Sequence, residues 1–333
     1  MGLWSIIALY VSGLIGAGFA SGQELVIFFV NYGRLGFFGV AWALCLLTLG
    51  SVLVLEVGAR YGSSSYRDLF NQLDQGSTTI LDGLYSVFLF VEASVMIAGL
   101  GTLGDDPSLG LVLQLASVAL IFFVLQRGVE EVGRASGYLA PLLVIILCSI
   151  ALKRLLHYPL TFPTRGSWAA LEAGTLYASY NLGFAMALLA SVSTYLTNQK
   201  QRWAVALGAN LIIGICLVLL LLALSTLPKA LLLSDLPLQN LVKLRGSPLA
   251  FALYQFMLWG AMVSTTLANL LALVSRMTGL TKISWQKASL IATSCAFVLS
   301  YVGFGTLVRV AYPILGLAGL WLLAGLVRTL FRK

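Results

Sequence analysis

Charge is scarce in this sequence. Only 10% of the residues are Asp, Glu, Lys or Arg, against 59% hydrophobic, whereas a water-soluble globular chain carries about 25% charged residues. Histidine occurs once, at His157, and cysteine four times, at Cys45, Cys148, Cys216 and Cys295. Those four fall inside apolar runs without metal-type spacing, so neither a zinc site nor a disulfide framework is indicated and they read as packing residues. A phosphate-binding glycine loop, an HExxH pair and a serine nucleophile elbow are all missing, which argues against an enzyme. No ring of repeated filter residues points to a passive channel. The formal charge of +8 is scattered over short connections instead of forming a basic patch, so it speaks for membrane topology and not for a nucleic-acid partner.

What is present is apolar length. A spanning helix needs about 20 apolar residues, and ten candidates are legible: Leu3–Asn31, Leu35–Arg60, Ile80–Leu103, Gly110–Leu125, Gly137–Leu155, Trp168–Leu196, Trp203–Leu227, Pro248–Met277, Ser284–Tyr301 and Thr306–Val327. Little lies outside them, so the expectation is a single all-helical transmembrane domain over residues 1–333 with the lipid bilayer as its surroundings. The first run has no basic segment ahead of it and continues through Phe28 and Phe29, so it is expected to be a retained helix. With the amino terminus inside, one face collects Arg60, Arg67, Arg127, Arg134, Lys200, Arg202, Arg276, Lys282, Lys287, Arg328, Arg332 and Lys333. The other holds Arg34, Lys153, Arg154, Arg165, Lys229, Lys243, Arg245 and Arg309. This bias favours both termini in the cytoplasm of a multi-pass protein of the plasma or inner membrane. Oligomeric state is left open.

Within the first run, Gly16-Ala17-Gly18-Phe19-Ala20-Ser21-Gly22-Gln23-Glu24 places three glycines close together and ends on a carboxylate. Glycine weakens a helix, so this stretch predicts an interruption, which a bilayer tolerates only where protein or a cavity serves the freed polar groups. The alternative is a close-packed crossing of small residues. In the sixth run Tyr177-Ala178-Ser179-Tyr180-Asn181-Leu182-Gly183-Phe184 interrupts the apolar pattern at the corresponding place. Two such breaks in a five-plus-five arrangement predict inverted repeats, about 1–160 and 161–333, with a site at the midplane. The connection 228–246, rich in leucine, reads as a short interfacial helix that could cap an outward vestibule, or as a plain connector.

Carboxylates at membrane depth are candidate functional groups. Glu24 follows the first break, where it could bind an ammonium, relay a proton or cap amides. Glu92, between Val91 and Ala93, has no partner on its own helix and is a second candidate for proton coupling. Glu56 and Arg60 stand four residues apart and predict an ion pair on one helix face. Glu172 opens the sixth run and complements a helix amino terminus. Ala261-Met262-Val263-Ser264-Thr265-Thr266 offers hydroxyls that either bond back to their own helix or ligate a hard monovalent cation.

Together these stretches identify a resemblance. Gly16-Ala17-Gly18-Phe19 resembles the first-helix break of the amino acid–polyamine–cation transporter superfamily, which has the LeuT fold, and the longer run through Glu24 is similar to the signature of bacterial YkvI-type membrane proteins. Glu56-Val57-Gly58-Ala59-Arg60-Tyr61-Gly62 resembles the E…RYG motif of the sodium-coupled branch, one residue shorter between Glu and Arg, and Asn181-Leu182-Gly183-Phe184-Ala185 resembles its sixth-helix break. The resemblance implies a secondary transporter of a small amino acid or related zwitterion or amine, working by alternating access. It implies a small-molecule site from Gly16, Ala17, Gly18, Phe19, Ala20, Ser21 and Glu24 on the first helix and Tyr177, Ser179, Asn181, Gly183 and Phe184 on the sixth. It implies that Glu56 holds the unwound sixth helix. It further implies a bound sodium ion, held by carbonyls of Ser12 and Ile15 with Ala261, Ser264 and Thr265, and no other cofactor. Proton coupling through Glu24 or Glu92, and a ligand sensor built on the same fold, are the alternatives.

Overall fold

The structure is a computed structural model that describes residues 2–62, 78–127, 130–158, 166–245 and 247–331. All regular structure among these residues is helical. In chain order the helices are α1 (Leu3–Leu14), α2 (Ala17–Ser21), α3 (Gln23–Phe28), α4 (Leu35–Tyr61), α5 (Thr78–Gly101), α6 (Pro107–Arg127), α7 (Glu130–Leu155), α8 (Ala169–Ser193), α9 (Gln199–Ser225), α10 (Lys229–Leu232), α11 (Pro237–Arg245), α12 (Pro248–Thr281), α13 (Trp285–Ser300) and α14 (Phe304–Phe331). Every predicted apolar run is helical: the first is divided among α1, α2 and α3, and the others are α4 to α9 and α12 to α14. Seven of these, namely α4, α5, α6, α8, α9, α12 and α14, are long and apolar enough to cross a membrane. Their outer faces carry bare apolar side chains such as Phe123, Ile215 and Leu317. Apolar surface on that scale is covered by lipid, not water, and the chain is a multi-pass membrane protein. Arg67, Arg165, Arg332, Lys333 and the expected junction of the two halves near residue 160 lie outside the described residues, as does the Arg134 side chain.

The centre of the bundle is α8. It packs most extensively on α4 and next on α14. Small residues permit this: a Cβ on Gly174 would stand 2.5 Å from the Gly39 carbonyl oxygen, and one on Gly39 would stand 2.6 Å from the Ala170 carbonyl oxygen. Those distances are below any real Cβ contact, so the α4–α8 crossing requires glycine on both helices.

One expectation is corrected here. The sixth run is not broken, since α8 runs without interruption from Ala169 to Ser193 through Tyr177–Phe184. Its polar side chains bond along the helix instead of competing with it. The Asn181 amide donates to the Tyr177 carbonyl at 2.9 Å, and the Ser179 hydroxyl lies 3.0 Å from the Leu176 carbonyl and 2.6 Å from that of Gly316 on α14. One glycine, Gly183, is not enough to unwind a helix gripped on two sides.

Candidate functional site

The first run does break, and at two points. Helix α1 leaves helical geometry at Ile15 (φ −85°, ψ 72°), Gly16 is extended ahead of α2, and Gly22 adopts φ +84° between α2 and α3. Positive φ favours glycine. The Leu238 side chain of α11 closes over Gly22, 2.7 Å from where a Cβ would stand. The connection after α9 therefore includes two short helices, α10 and α11, of which α11 covers the break with Leu238, Leu241 and Val242 turned inward.

The freed backbone groups are served from nearby helices, as a low-dielectric interior demands. The Ser21 hydroxyl donates to the Gly18 carbonyl at 2.7 Å and accepts from the Gln23 amide at 3.1 Å. From α12 the Tyr254 hydroxyl donates to the Ala20 carbonyl at 2.8 Å. Phe19, Ala20 and Ser21 are buried, and a Cβ on Gly16 would meet no atom within 4 Å, so space remains beside the first turn of the break. The side chain of Ala17 lies outside the described residues.

Glu24 turns back toward the break. Its carboxylate lies against Gly18, where any side chain would collide with it, and accepts a hydrogen bond from the Tyr180 hydroxyl of α8. The Tyr180 ring packs on Tyr312 of α14 with centroids 5.0 Å apart, and Phe184 packs on Tyr180 at 5.7 Å and on Phe88 of α5 at 4.5 Å. Glu92 of α5 is a close electrostatic neighbour of both Glu24 and the Tyr312 hydroxyl. Glu24 and Glu92 are 5% and 6% exposed, and Tyr180 and Tyr312 each 1%. Among the described residues neither carboxylate has a Lys, Arg or His partner. Glu92 Oε2 and Tyr312 Oη, which neighbour each other, are buried without a geometric hydrogen-bond partner, as is Gln23 Oε1, whose amide lies toward Asp235 and Gly305.

The predicted residues thus separate. Gly18, Glu24, Glu92, Tyr177 and Phe184 gather at the break, Tyr177 through edge contacts with Phe28 at 5.6 Å and Phe29 at 4.8 Å. Ser179 and Asn181 are committed to carbonyls of α8 and α14. Gly183 faces the Phe88 ring, 3.0 Å from where a Cβ would stand. Of the expected cation donors, Ser264 donates to the Ala261 carbonyl at 3.0 Å, which is the ordinary back-bonding alternative. Ser12 keeps a buried hydroxyl without a partner, and Ile15 is the residue at which α1 ends.

Glu56 is a second correction. It pairs with Arg202 in the first turn of α9, Nε to Oε2 2.7 Å, instead of forming the expected pair with Arg60. Arg202 also donates to the Leu196 carbonyl at 2.9 Å, just beyond the end of α8. With no unwound sixth helix to hold, Glu56 fastens the α8–α9 turn to α4. The Arg60 guanidinium lies 5.8 Å from the centre of the Tyr61 ring, and Glu172 sits in the first turn of α8 as expected.

Sequence reasoning missed Tyr312, Tyr254 and Gln23. A usable signal existed for the tyrosines: they stand inside apolar runs, and a buried Tyr hydroxyl normally has a polar partner. It missed too the ion pair of Asp82 with Arg276 at 2.8 Å, which joins α5 to α12. Cys148 and Cys216 are neighbours across α7 and α9, their sulfurs 3.5 Å apart, while Cys45 and Cys295 are exposed.

No family model matches the chain. In sequence it is similar to two proteins of Bacillus subtilis (strain 168). One is YkvI, an uncharacterized membrane protein, 26% identical over 329 residues that cover 96% of this chain and 93% of YkvI. The other is YyaD, also 26% identical over 329 residues, covering 96% of this chain and 94% of YyaD. In structure it is similar to MhsT, solved in complex with L-phenylalanine, with a TM-score of 0.63 and 16% identity over 89% of this chain and 78% of MhsT. That likeness extends over nearly all of the bundle and establishes the fold, which is the LeuT fold of MhsT carried by a multi-pass membrane protein.

Proposed function

We propose that this protein is a secondary active transporter that moves a small amino acid, related zwitterion or amine by alternating access. The observation that carries the reading is the interrupted first helix, with backbone bonds served by Ser21 and Tyr254 and a buried polar cluster at Gly18–Glu24. A broken helix at membrane depth with free space beside it is the common construction of a transport site. The unbroken α8 and its glycine contacts with α4 supply a rigid wall, against which α1 and the lid around Leu238 move. In this reading α1 with α2–α3, α7 and α13 also span, making ten spans in two inverted repeats of five, with both termini in the cytoplasm of the plasma or inner membrane.

Coupling to sodium is part of the proposal. The donors would be all oxygen, as a hard monovalent cation requires: carbonyls of Ser12 and Ile15 with Ala261, Ser264 and Thr265. The buried, unpartnered Ser12 hydroxyl at the end of α1 supports that placement, and a hydroxyl that donates to its own helix still has lone pairs for a cation.

The test is counterflow in proteoliposomes that hold the full chain and amino acids or amines inside. Exchange of label is expected with the native chain and absent in Gly18→Val, whose side chain would displace Glu24. Normal exchange by that variant rejects the site. Sodium removal is expected to slow uptake about tenfold or more; uptake that ignores sodium and follows a proton gradient moves the coupling to Glu24 or Glu92. Ligand-induced stabilisation without any counterflow makes the protein a sensor on this fold.

A further inference from the structure

The substrate class can be narrowed, on the reading of the break as a transport site. We propose that the site selects a primary ammonium group, held between Glu24 and Glu92, and that a ligand carboxylate is not what the break holds. The position against Gly18 is already taken by a carboxylate of the protein, Glu24, fixed by the Tyr180 hydroxyl. A ligand carboxylate would have to displace Glu24 from that position. Glu92 adds a second carboxyl group, and among the described residues no Lys, Arg or His faces either of them.

An independent observation is the hydrogen-bond inventory. Two buried oxygens that lie beside each other near the break, Glu92 Oε2 and Tyr312 Oη, lack geometric hydrogen-bond partners. A carboxylate paired with a cation only accepts, and the Tyr312 hydroxyl can accept as well as donate. The cluster is rich in acceptors and short of donors. An ammonium brings three donors and one positive charge, so it answers both deficits. Beside Gly16, a Cβ would meet no atom within 4 Å, which places open space next to the break. On the lid side, the exposed Asp235 and Gln23 meet over Gly305 at the start of α14, which puts another carboxylate on the approach.

The experiment compares ligands of one shape and different charge on the purified full chain in nanodiscs: phenethylamine, 2-phenylethanol, 3-phenylpropionate and L-phenylalanine, with ethylamine, ethanol, propionate and L-alanine as the small set. Affinity is read by calorimetry and thermal shift. In at least one set the amine is expected to bind about tenfold or more tightly than the alcohol, as charge-assisted hydrogen bonds imply, and the carboxylate to bind undetectably. Glu92→Gln, Glu24→Gln and Tyr312→Phe should each weaken the amine by a larger factor than the alcohol, with unliganded melting temperature as the control for folding. If the glutamine variants do not fold, the charge series on the native chain and Tyr312→Phe still decide. Amines that bind no better than alcohols in both sets, amino-acid affinity that depends on the α-carboxylate, or stabilisation by sodium or acid alone that is lost in Glu92→Gln while no amine binds would each overturn the inference. Counterflow separates this from the transport reading. Amine binding without counterflow keeps the ammonium site and rejects transport; amino-acid counterflow without amine binding does the reverse.

Discussion

Tyr254 illustrates how single side chains make a broken helix affordable in a membrane. Its hydroxyl, fully buried, serves the Ala20 carbonyl at 2.8 Å. Removing it leaves a buried acceptor without a donor, which costs about 1–3 kcal/mol. Tyr254→Phe is therefore expected to lower the melting temperature in nanodiscs by several degrees while leaving the cavity shape intact; an unchanged melting curve would show that water or another group serves that carbonyl. Glu24 and Glu92 were visible as oddities in apolar runs. That they face each other through Tyr180 and Tyr312 was not, because those residues come from α3, α5, α8 and α14, and no spacing along the chain relates them.

At the scale of elements, the apolar runs were legible and the behaviour of each was only partly so. The first run breaks where clustered glycines predict it. The sixth does not break, although its sequence looked similarly interrupted, because helix geometry lets Asn181 and Ser179 bond to carbonyls one turn back. Glu56 shows the same limit: two residues at helical spacing share a face, yet an Arg from another helix reached the carboxylate with better geometry. The strongest such tie is Asp82 to Arg276, whose side chains are 9% and 11% exposed. Deleting one partner of a buried pair strands the other, at about 3–5 kcal/mol. Asp82→Ala should accordingly loosen α12 from α5, seen as a large fall in melting temperature and as faster hydrogen exchange in both helices; a change confined to α5 would contradict that linkage.

For the whole molecule, the ten-span reading makes a topological statement. An even number of spans puts both termini on one side, and the basic residues favour the cytoplasm. Reporters fused to the amino and carboxyl ends should both report cytoplasmic placement. Opposite placement would mean that one of α1–α3, α7 or α13 does not cross.

Sequence alone determined that this chain lives in a bilayer, where its helices lie, that the first is broken, and that carboxylates stand at membrane depth. These follow from local composition, because hydropathy, glycine content and helical period act between residues near one another in the chain. Only the tertiary structure decided that α8 stays whole, that Arg202 is the partner of Glu56, that Leu238 covers Gly22, and that Glu24 and Glu92 come together beside Tyr180 and Tyr312 with no Lys, Arg or His against them among the described residues. Those depend on which surfaces meet across the bundle, where a glycine crossing or a single hydrogen bond chooses among arrangements that the local pattern leaves equal.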